Sequence, residues 1–259
     1  MHGVTTSDGH FLAAIAELPL STRRADGAEG SIVVLSGTPG WGKAARRAEE
    51  DGALAVVVDA LSTLDAEEIQ AAVDVAGRLP VAVARPRLRS DVGLDALGAP
   101  GTTDPRVVSV ECSAPGGEIE AALRDALGWA RILARGTLRV QSSDAVAGGV
   151  TALLGSDRAG ADDGCPVTVL AAHRRTGESW LRVLATDSSR VEVTVEGPYA
   201  TAAVAVAGAE GVLRSPQRFE SYRRLALRAA IAAVERRELL PDASELQHDS
   251  RLAALLLEG

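Results

Sequence analysis

The chain has 259 residues and is 46% hydrophobic but only 3% aromatic, so alanine, valine and leucine must fill its core. That apolar content excludes a disordered chain, and a formal charge of −8, from 27 strong bases against 35 acids, excludes a general nucleic-acid binder. Cys112 and Cys165 make neither a disulfide framework nor a metal cluster, and Lys43 is the only lysine among many arginines.

No apolar run is long enough to span a membrane. Met1–Leu20 carries Asp8, His10 and Glu17 and lacks the basic start and apolar stretch of a secretion signal, so the expected place is the cytoplasm. The arginine-for-lysine bias reads as codon usage in a GC-rich genome rather than as function.

In chain order, the first strand is expected at Ser31–Ser36 (SIVVLS), a short buried apolar run. A Gly/Pro turn follows, then a helix over Lys43–Asp51 that Gly52 ends. Ala53–Val58 is a second buried strand. Asp65, with Glu68 three residues on, reads as a capping box for a helix reaching about Ala76. Val81–Ala84 is a third strand. This alternation predicts a parallel sheet built from βαβ units. Arg87–Asp104 reads as a Gly/Pro/Asp linker, and Val107–Val110 as a further strand.

The second half changes character. Glu118–Arg135 is a long helix with Ile119, Leu123, Leu127, Ala130 and Ala134 on one stripe. Strands are then expected without intervening helices, at Thr137–Gln141, Val150–Leu154, Val167–Ala172, Trp180–Ala185, Val191–Glu196 and Ala200–Ala207. Val191, Val193 and Val195 alternate with polar residues, as in a strand with one wet face. Ser156–Gly164 is a polar loop. Ser215-Pro216 reads as the start of a helix to about Glu238, and a last helix covers Leu246–Leu257.

Gly37-Thr38-Pro39-Gly40-Trp41-Gly42-Lys43 has the GxxxxGK spacing of a phosphate-binding loop, between a strand and a helix. Its amides could cradle phosphates and Lys43 could reach the terminal one, while Leu54–Asp59 imitates the acid-ending strand of such sites. Ala44, however, stands where a magnesium-binding hydroxyl is required. The competing reading is a strand-to-helix turn with a solvated lysine.

The order of elements from Ile32 onward resembles the Gfo/Idh/MocA oxidoreductase family. The segment VVLSGTPGWGKAARRAEEDGALAVVVDALSTLDAEE carries the family's Thr-Pro turn at Thr38-Pro39 and its helix end at Glu50-Asp51-Gly52. The helix from Glu118, the strand-rich stretch and FESYRRLALRAAIAAVERRELLP are similar to its substrate domain, so the resemblance covers residues 31–259. It implies a dinucleotide cofactor and a sugar-like substrate, but the family's chemical residues are not matched. No GxGxxG occurs, and about thirty residues precede the first expected strand, too few for a complete cofactor-binding half. Asp59-Ala60-Leu61 stands where the family keeps Glu-Lys-Pro. The Asp-x-x-x-His motif aligns with Asp125-Ala126-Leu127-Gly128-Trp129, which keeps the aspartate and replaces the histidine by Trp129.

The expected fold class is therefore α/β: a shortened Rossmann-like parallel sheet in residues 1–110, then an α+β domain with a mostly antiparallel sheet in 111–259. The expected function is that of a degenerate, non-catalytic homologue, a pseudoenzyme or assembly partner. The alternatives are an active NAD(P)-dependent oxidoreductase and a nucleotide-phosphate binder using Gly37–Lys43. Asp125 is the candidate catalytic relic, with a surface helix charge as its plainer reading. Thr38, Pro39 and Lys43 are the candidate cofactor contacts, and no metal is expected. No cofactor is expected unless the family activity is retained, in which case it would be NAD or NADP. The expected partner is a second copy or a related oxidoreductase subunit, held through the C-terminal sheet by Val191–Val195 and Val204–Val206; neither nucleic acid nor membrane is expected. Arg85, Arg87 and Arg89 read as a solvated linker or a cationic pocket, His173-Arg174-Arg175 as a polar hairpin tip or an anion-binding loop, and Trp180 as an anchor of the sheet core.

Overall fold

The computed structural model describes residues 1–98, 105–146, 148–157, 164–197 and 201–258. The elements in chain order are β1 (His2–Thr5), α1 (Gly9–Ala16), β2 (Thr22–Arg24), β3 (Ser31–Ser36), α2 (Trp41–Glu50), β4 (Ala55–Asp59), α3 (Ala66–Ala76), β5 (Val81–Ala84) and α4 (Ser90–Leu97). After these come β6 (Val107–Pro115), a short 3-10 turn, α5 (Ile119–Ala134), β7 (Thr137–Val146), β8 (Gly149–Asp157), β9 (Pro166–Arg174) and β10 (Trp180–Thr186). The chain ends with β11 (Arg190–Glu196), β12 (Thr201–Gly208), β13 (Gly211–Arg214), α6 (Tyr222–Arg236) and α7 (Asp242–Glu258).

The chain divides into two compact units that are not contiguous in sequence: Met1–Pro86 with Glu220–His248, and Arg87–Phe219 with Asp249–Gly259. The expected single cut after residue 110 differs from this division, and packing explains why. Helix α6 buries Ala226, Leu227, Ala230 and Ile231 with Val4, Ile32 and Val57 of the parallel sheet, so it belongs to the first unit. Strand β6 pairs with β9 and β10, so it belongs to the second.

The first unit is a five-stranded parallel sheet in the order β2-β1-β3-β4-β5. Alternate residues face two different covers. Ile32, Val34 and Val57 pack with α1 and α6, while Val33, Val56 and Val58 pack with α2, α3 and the start of α7. Burial on both faces is why SIVVLS and AVVVD are nearly continuous apolar runs. The strand, helix and strand before Ser31 correct the expectation that SIVVLS is the first strand. The sequence signal was weak because β1 and β2 are four and three residues long.

The second unit is an eight-stranded sheet in the order β13-β12-β11-β10-β6-β9-β8-β7, antiparallel except where β6 runs alongside β9. Helix α5 covers one face, and its expected stripe, Ile119, Leu123, Leu127, Ala130 and Ala134, is buried there. Along β6, Val108, Val110, Cys112 and Ala114 face that core, and the residues between them are half-buried.

Several local expectations change. Val191, Val193, Val195, Val204 and Val206 are all within 8% exposure and lie in this unit's own core, so they cannot supply a partner face. The expected linker holds α4, and its end at 99–104 lies outside the described residues, as does 158–163 of the polar loop. The segment His173–Ser179 is not a hairpin tip, because β6 lies between β9 and β10. Trp180 is only half-buried on the less covered face. Helix α6 starts at Tyr222 rather than Pro216, because Ser221 supplies the cap by accepting from the Arg224 amide at 3.2 Å.

Candidate functional site

Strand β1 passes to β2 on one side, and the chain then returns to β3 on the other. This makes a topological switch point at the C-terminal ends of β1 and β3, where open α/β sheets bind ligands. A dinucleotide pyrophosphate would sit at the N-terminus of α1, on its free amides. Here Asp8 caps that helix: its Oδ1 accepts from the His10 amide at 2.7 Å and the Phe11 amide at 3.4 Å. A carboxylate of the chain already occupies the electropositive helix end, so the residues present do not fit a pyrophosphate at this point.

The second amide nest of the sheet edge is filled in the same way. The amides of Gly40 and Gly42, at the start of α2, both donate to the carboxylate of Glu68 on α3, that of Gly42 at 3.4 Å. Glu68 therefore does not reach back to Asp65 as a capping box requires, although Asp65 does cap α3 by accepting from the Glu67 and Glu68 amides. Packing also accounts for two of the motif's glycines. A Cβ on Gly42 would come within 2.8 Å of the Glu68 backbone, and one on Gly37 within 2.5 Å of the Asp59 carbonyl. Thr38, Pro39 and Lys43 are exposed. The Thr38 hydroxyl lies 3.1 Å from that of Ser36.

Beside this edge, β4 ends in Asp59, which is 5% exposed. Its carboxylate accepts from Arg223 Nε at 2.8 Å and from the Tyr222 hydroxyl at 3.3 Å. Arg223 in turn lies 4.6 Å from the Tyr222 ring centroid and 5.8 Å from that of Phe11. Burial pushes the Asp59 carboxyl above its usual range against the pull of Arg223, and the charge of Asp8 adds to the push. Burial raises the Tyr222 hydroxyl strongly, and the charge of Asp59 raises it further. Ala60, in the region where the resembled family has its lysine, is fully buried.

Asp125 lies in the second unit, on α5. It is 0% exposed and its Oδ1 accepts from Arg124 Nε at 3.0 Å, with Arg124 only 2% exposed. The surface-charge reading of Asp125 is thus corrected: the residue is a core carboxyl group held by a buried arginine. The solvated reading of the arginines is corrected too, since Arg85, Arg87 and Arg89 are 5%, 8% and 6% exposed. Arg87 donates to Ser179 Oγ through Nε and Nη2, at 2.9 and 2.6 Å, and to Glu118 through Nη2 at 2.9 Å. Its backbone amide faces Asp125 at 3.4 Å. Trp129, four residues after Asp125, is fully buried and donates its indole N–H to the Arg87 carbonyl at 2.6 Å. Arg89 forms a two-pronged pair with Asp91 at 3.1 and 2.8 Å. The Cys112 thiol is pushed up to about 12 by burial, against the opposing charge of Arg87, so it stays protonated.

The structure thus gathers Arg87, Glu118, Arg124, Asp125, Trp129 and Ser179 into one cluster. It leaves Thr38, Pro39 and Lys43 in the other unit. Among the described residues no group of His, Cys, Asp and Glu is arranged to hold a metal ion, and no helix is long and apolar enough to cross a membrane. The roles of Glu68 and Arg223 are not visible in the sequence. Asp8 and Ser221 do carry the local signature of helix caps, but nothing local shows that Glu68 reaches across to α2.

No protein-family model matches the sequence, and no curated protein is similar enough to match it. Solved structures do match along nearly the whole chain. UDP-N-acetylglucosamine 3-dehydrogenase GnnA from Acidithiobacillus ferrooxidans is 16% identical, with a TM-score of 0.68 over 99% of this chain and 96% of that one. A dehydrogenase (MviM) from Clostridium difficile is 11% identical, with a TM-score of 0.65 over 100% and 90%. KijD10, a 3-ketoreductase from Actinomadura kijaniata solved with NADP and TDP-benzene, is 13% identical, with a TM-score of 0.59 over 99% and 96%. The chain has the fold of these dehydrogenases and ketoreductases, which is the fold the Gfo/Idh/MocA resemblance implies.

Proposed function

We propose that this chain, built on the fold of Gfo/Idh/MocA-type oxidoreductases, is a non-catalytic relative that acts through assembly. One observation carries the reading: Trp129, with its indole tied to a backbone carbonyl, stands where the resembled family has a proton-handling histidine. Hydride transfer between a nicotinamide and a sugar hydroxyl needs a side chain that exchanges a proton with that hydroxyl. Tryptophan does not titrate, Ala60 cannot, and Asp125 is locked to Arg124 away from solvent. The carboxylate of Asp8 on the α1 amides supports the further step that no dinucleotide is held there.

The partner is a second copy or a related oxidoreductase subunit, met through the second unit's sheet away from α5. On that side Glu111, Arg182 and Glu192 form an ion-paired row, at 3.8 and 3.0 Å, beside the exposed Leu153 and Leu170.

An active NAD(P)-dependent enzyme on a sugar-like substrate is the second reading. It is favoured by the near-complete alignment with a ketoreductase solved with NADP. A thermal-shift panel with NAD, NADP, ATP and GTP separates the readings. A ligand at 100 times its dissociation constant stabilises by about 2.7 kcal/mol. The non-catalytic reading expects no shift with any of the four. A saturable shift with NAD or NADP, with turnover of a nucleotide-linked sugar, would reject it.

A further inference from the structure

The N-terminal end of α5 is left uncapped. The 3-10 turn Gly116–Glu118 leads into the helix, and no side chain caps either of them. A helix start without a side-chain cap presents backbone amides and the positive end of the helix dipole. A Cβ added to Gly116 or Gly117 would meet nothing within 4 Å, so no other part of the chain packs against the turn there.

Arg87 adds a donor aimed at this end. Its guanidinium is planar and holds its five N–H groups in a fixed fork. Nε and Nη2 together take Ser179 Oγ along one edge, so the second bond of Nη2, to Glu118, leaves by the tip. Nη1 shares that tip; it is buried and has no hydrogen-bond partner among the described residues. Glu118 is the residue from which α5 starts, so the unfilled donor faces the helix end. A buried donor left unfilled is costly, and a ligand that fills it recovers that cost.

The rim supplies positive charge. The register of β9 with β6 sets Arg174 beside Pro115, next to the turn, and His173, Arg174 and Arg175 are all exposed. Two acids of the helix start, Glu118 and Glu120, oppose a doubly charged phosphate more than a singly charged carboxylate. Glu118 itself shows that the tip of Arg87 accepts a carboxylate, at 2.9 Å, but it meets Nη2 alone, and its side chain is 54% exposed and free to turn outward. We propose that this end of α5 binds the carboxylate of a small organic acid, two-pronged on Nη1 and Nη2 of Arg87 and on the amides of Gly116 and Gly117, with Glu118 displaced to solvent. The site needs no dinucleotide and does not depend on the assembly reading.

Amide chemical shifts of the full-length chain, titrated with acetate at constant ionic strength, test the site, with chloride and inorganic phosphate as controls. Saturable shifts are expected at Gly116 and Gly117 with acetate, and binding about tenfold weaker with phosphate. Arg87→Gln is expected to abolish the acetate shifts. Glu118→Gln is expected to bind acetate about tenfold more tightly, the worth of one hydrogen bond to a charged group, and it decides the matter even if the Arg87 variant does not fold. No saturable shift in either the wild type or Glu118→Gln overturns the site. Shifts that chloride or phosphate reproduce at the same concentration overturn the carboxylate and leave a non-selective basic surface. An acetate affinity that Glu118→Gln does not change overturns the seat on Arg87.

Discussion

Asp125 sits at full burial on α5 among mostly apolar core residues, with Arg124 beside it, and that environment fixes its chemistry. A lone carboxylate there would be neutralised or expelled; Arg124, equally buried, donates to this one at 3.0 Å. Such a pair adds little net stability but is costly to break, because removing one partner leaves the other as an uncompensated buried charge. Asp125→Ala is therefore expected to cost about 3–5 kcal/mol in urea unfolding, and Asp125→Asn less. A loss under about 1 kcal/mol would place the residue with exposed pairs instead. Trp129 argues similarly at this scale. The resemblance sets it at the position of the family's histidine, but the sequence does not show that its N–H is spent on the Arg87 carbonyl.

The secondary-structure elements decide what the glycine-rich turn means. Its spacing suggested phosphate, and the spacing is accounted for by two close approaches. Gly42 lets α2 lie on the α3 backbone, and Gly37 lets the end of β3 meet the end of β4. The two amides that a phosphate would take are donated to Glu68. This makes a contrast within one motif. Gly42→Ala is expected to force α2 and α3 apart and to destabilise by about 1–3 kcal/mol, as overpacking does. Lys43→Ala, on an exposed side chain, is expected to stay within about 0.5 kcal/mol of the wild type. Thermal melts of the two variants check the pair, and a Lys43→Ala loss as large as that of Gly42→Ala would revive a functional role for the lysine.

For the whole molecule, the return of the chain into its first unit is the main surprise. The parallel sheet needs α6 to cover the face carrying Ile32, Val34 and Val57, and α6 comes from residues beyond 220. A fragment of residues 1–110, the domain suggested by composition and spacing, lacks that cover. It is expected to show no cooperative thermal transition by circular dichroism, whereas residues 1–86 joined to 220–248 are expected to melt cooperatively. A sharp melt of the 1–110 fragment would count against the division.

What the sequence determined by itself is what depends on local pattern. The βαβ alternation, the α5 stripe and the Asp65 cap follow from periodicity and capping, and the residues that the resemblance sets at the family's histidine and lysine positions, Trp129 and Ala60, are read from the sequence alone. Only the tertiary structure decided what depends on neighbours far away in the chain. It placed Val191, Val193, Val195, Val204 and Val206 in the core rather than on a partner face, buried Arg87 and Arg89, and set Glu68 and Arg223 against groups that a sequence window cannot pair with them. The reason is physical: period-2 and period-3.6 patterns say that a face is apolar, whereas burial and charge pairing are set by which other face comes to lie on it.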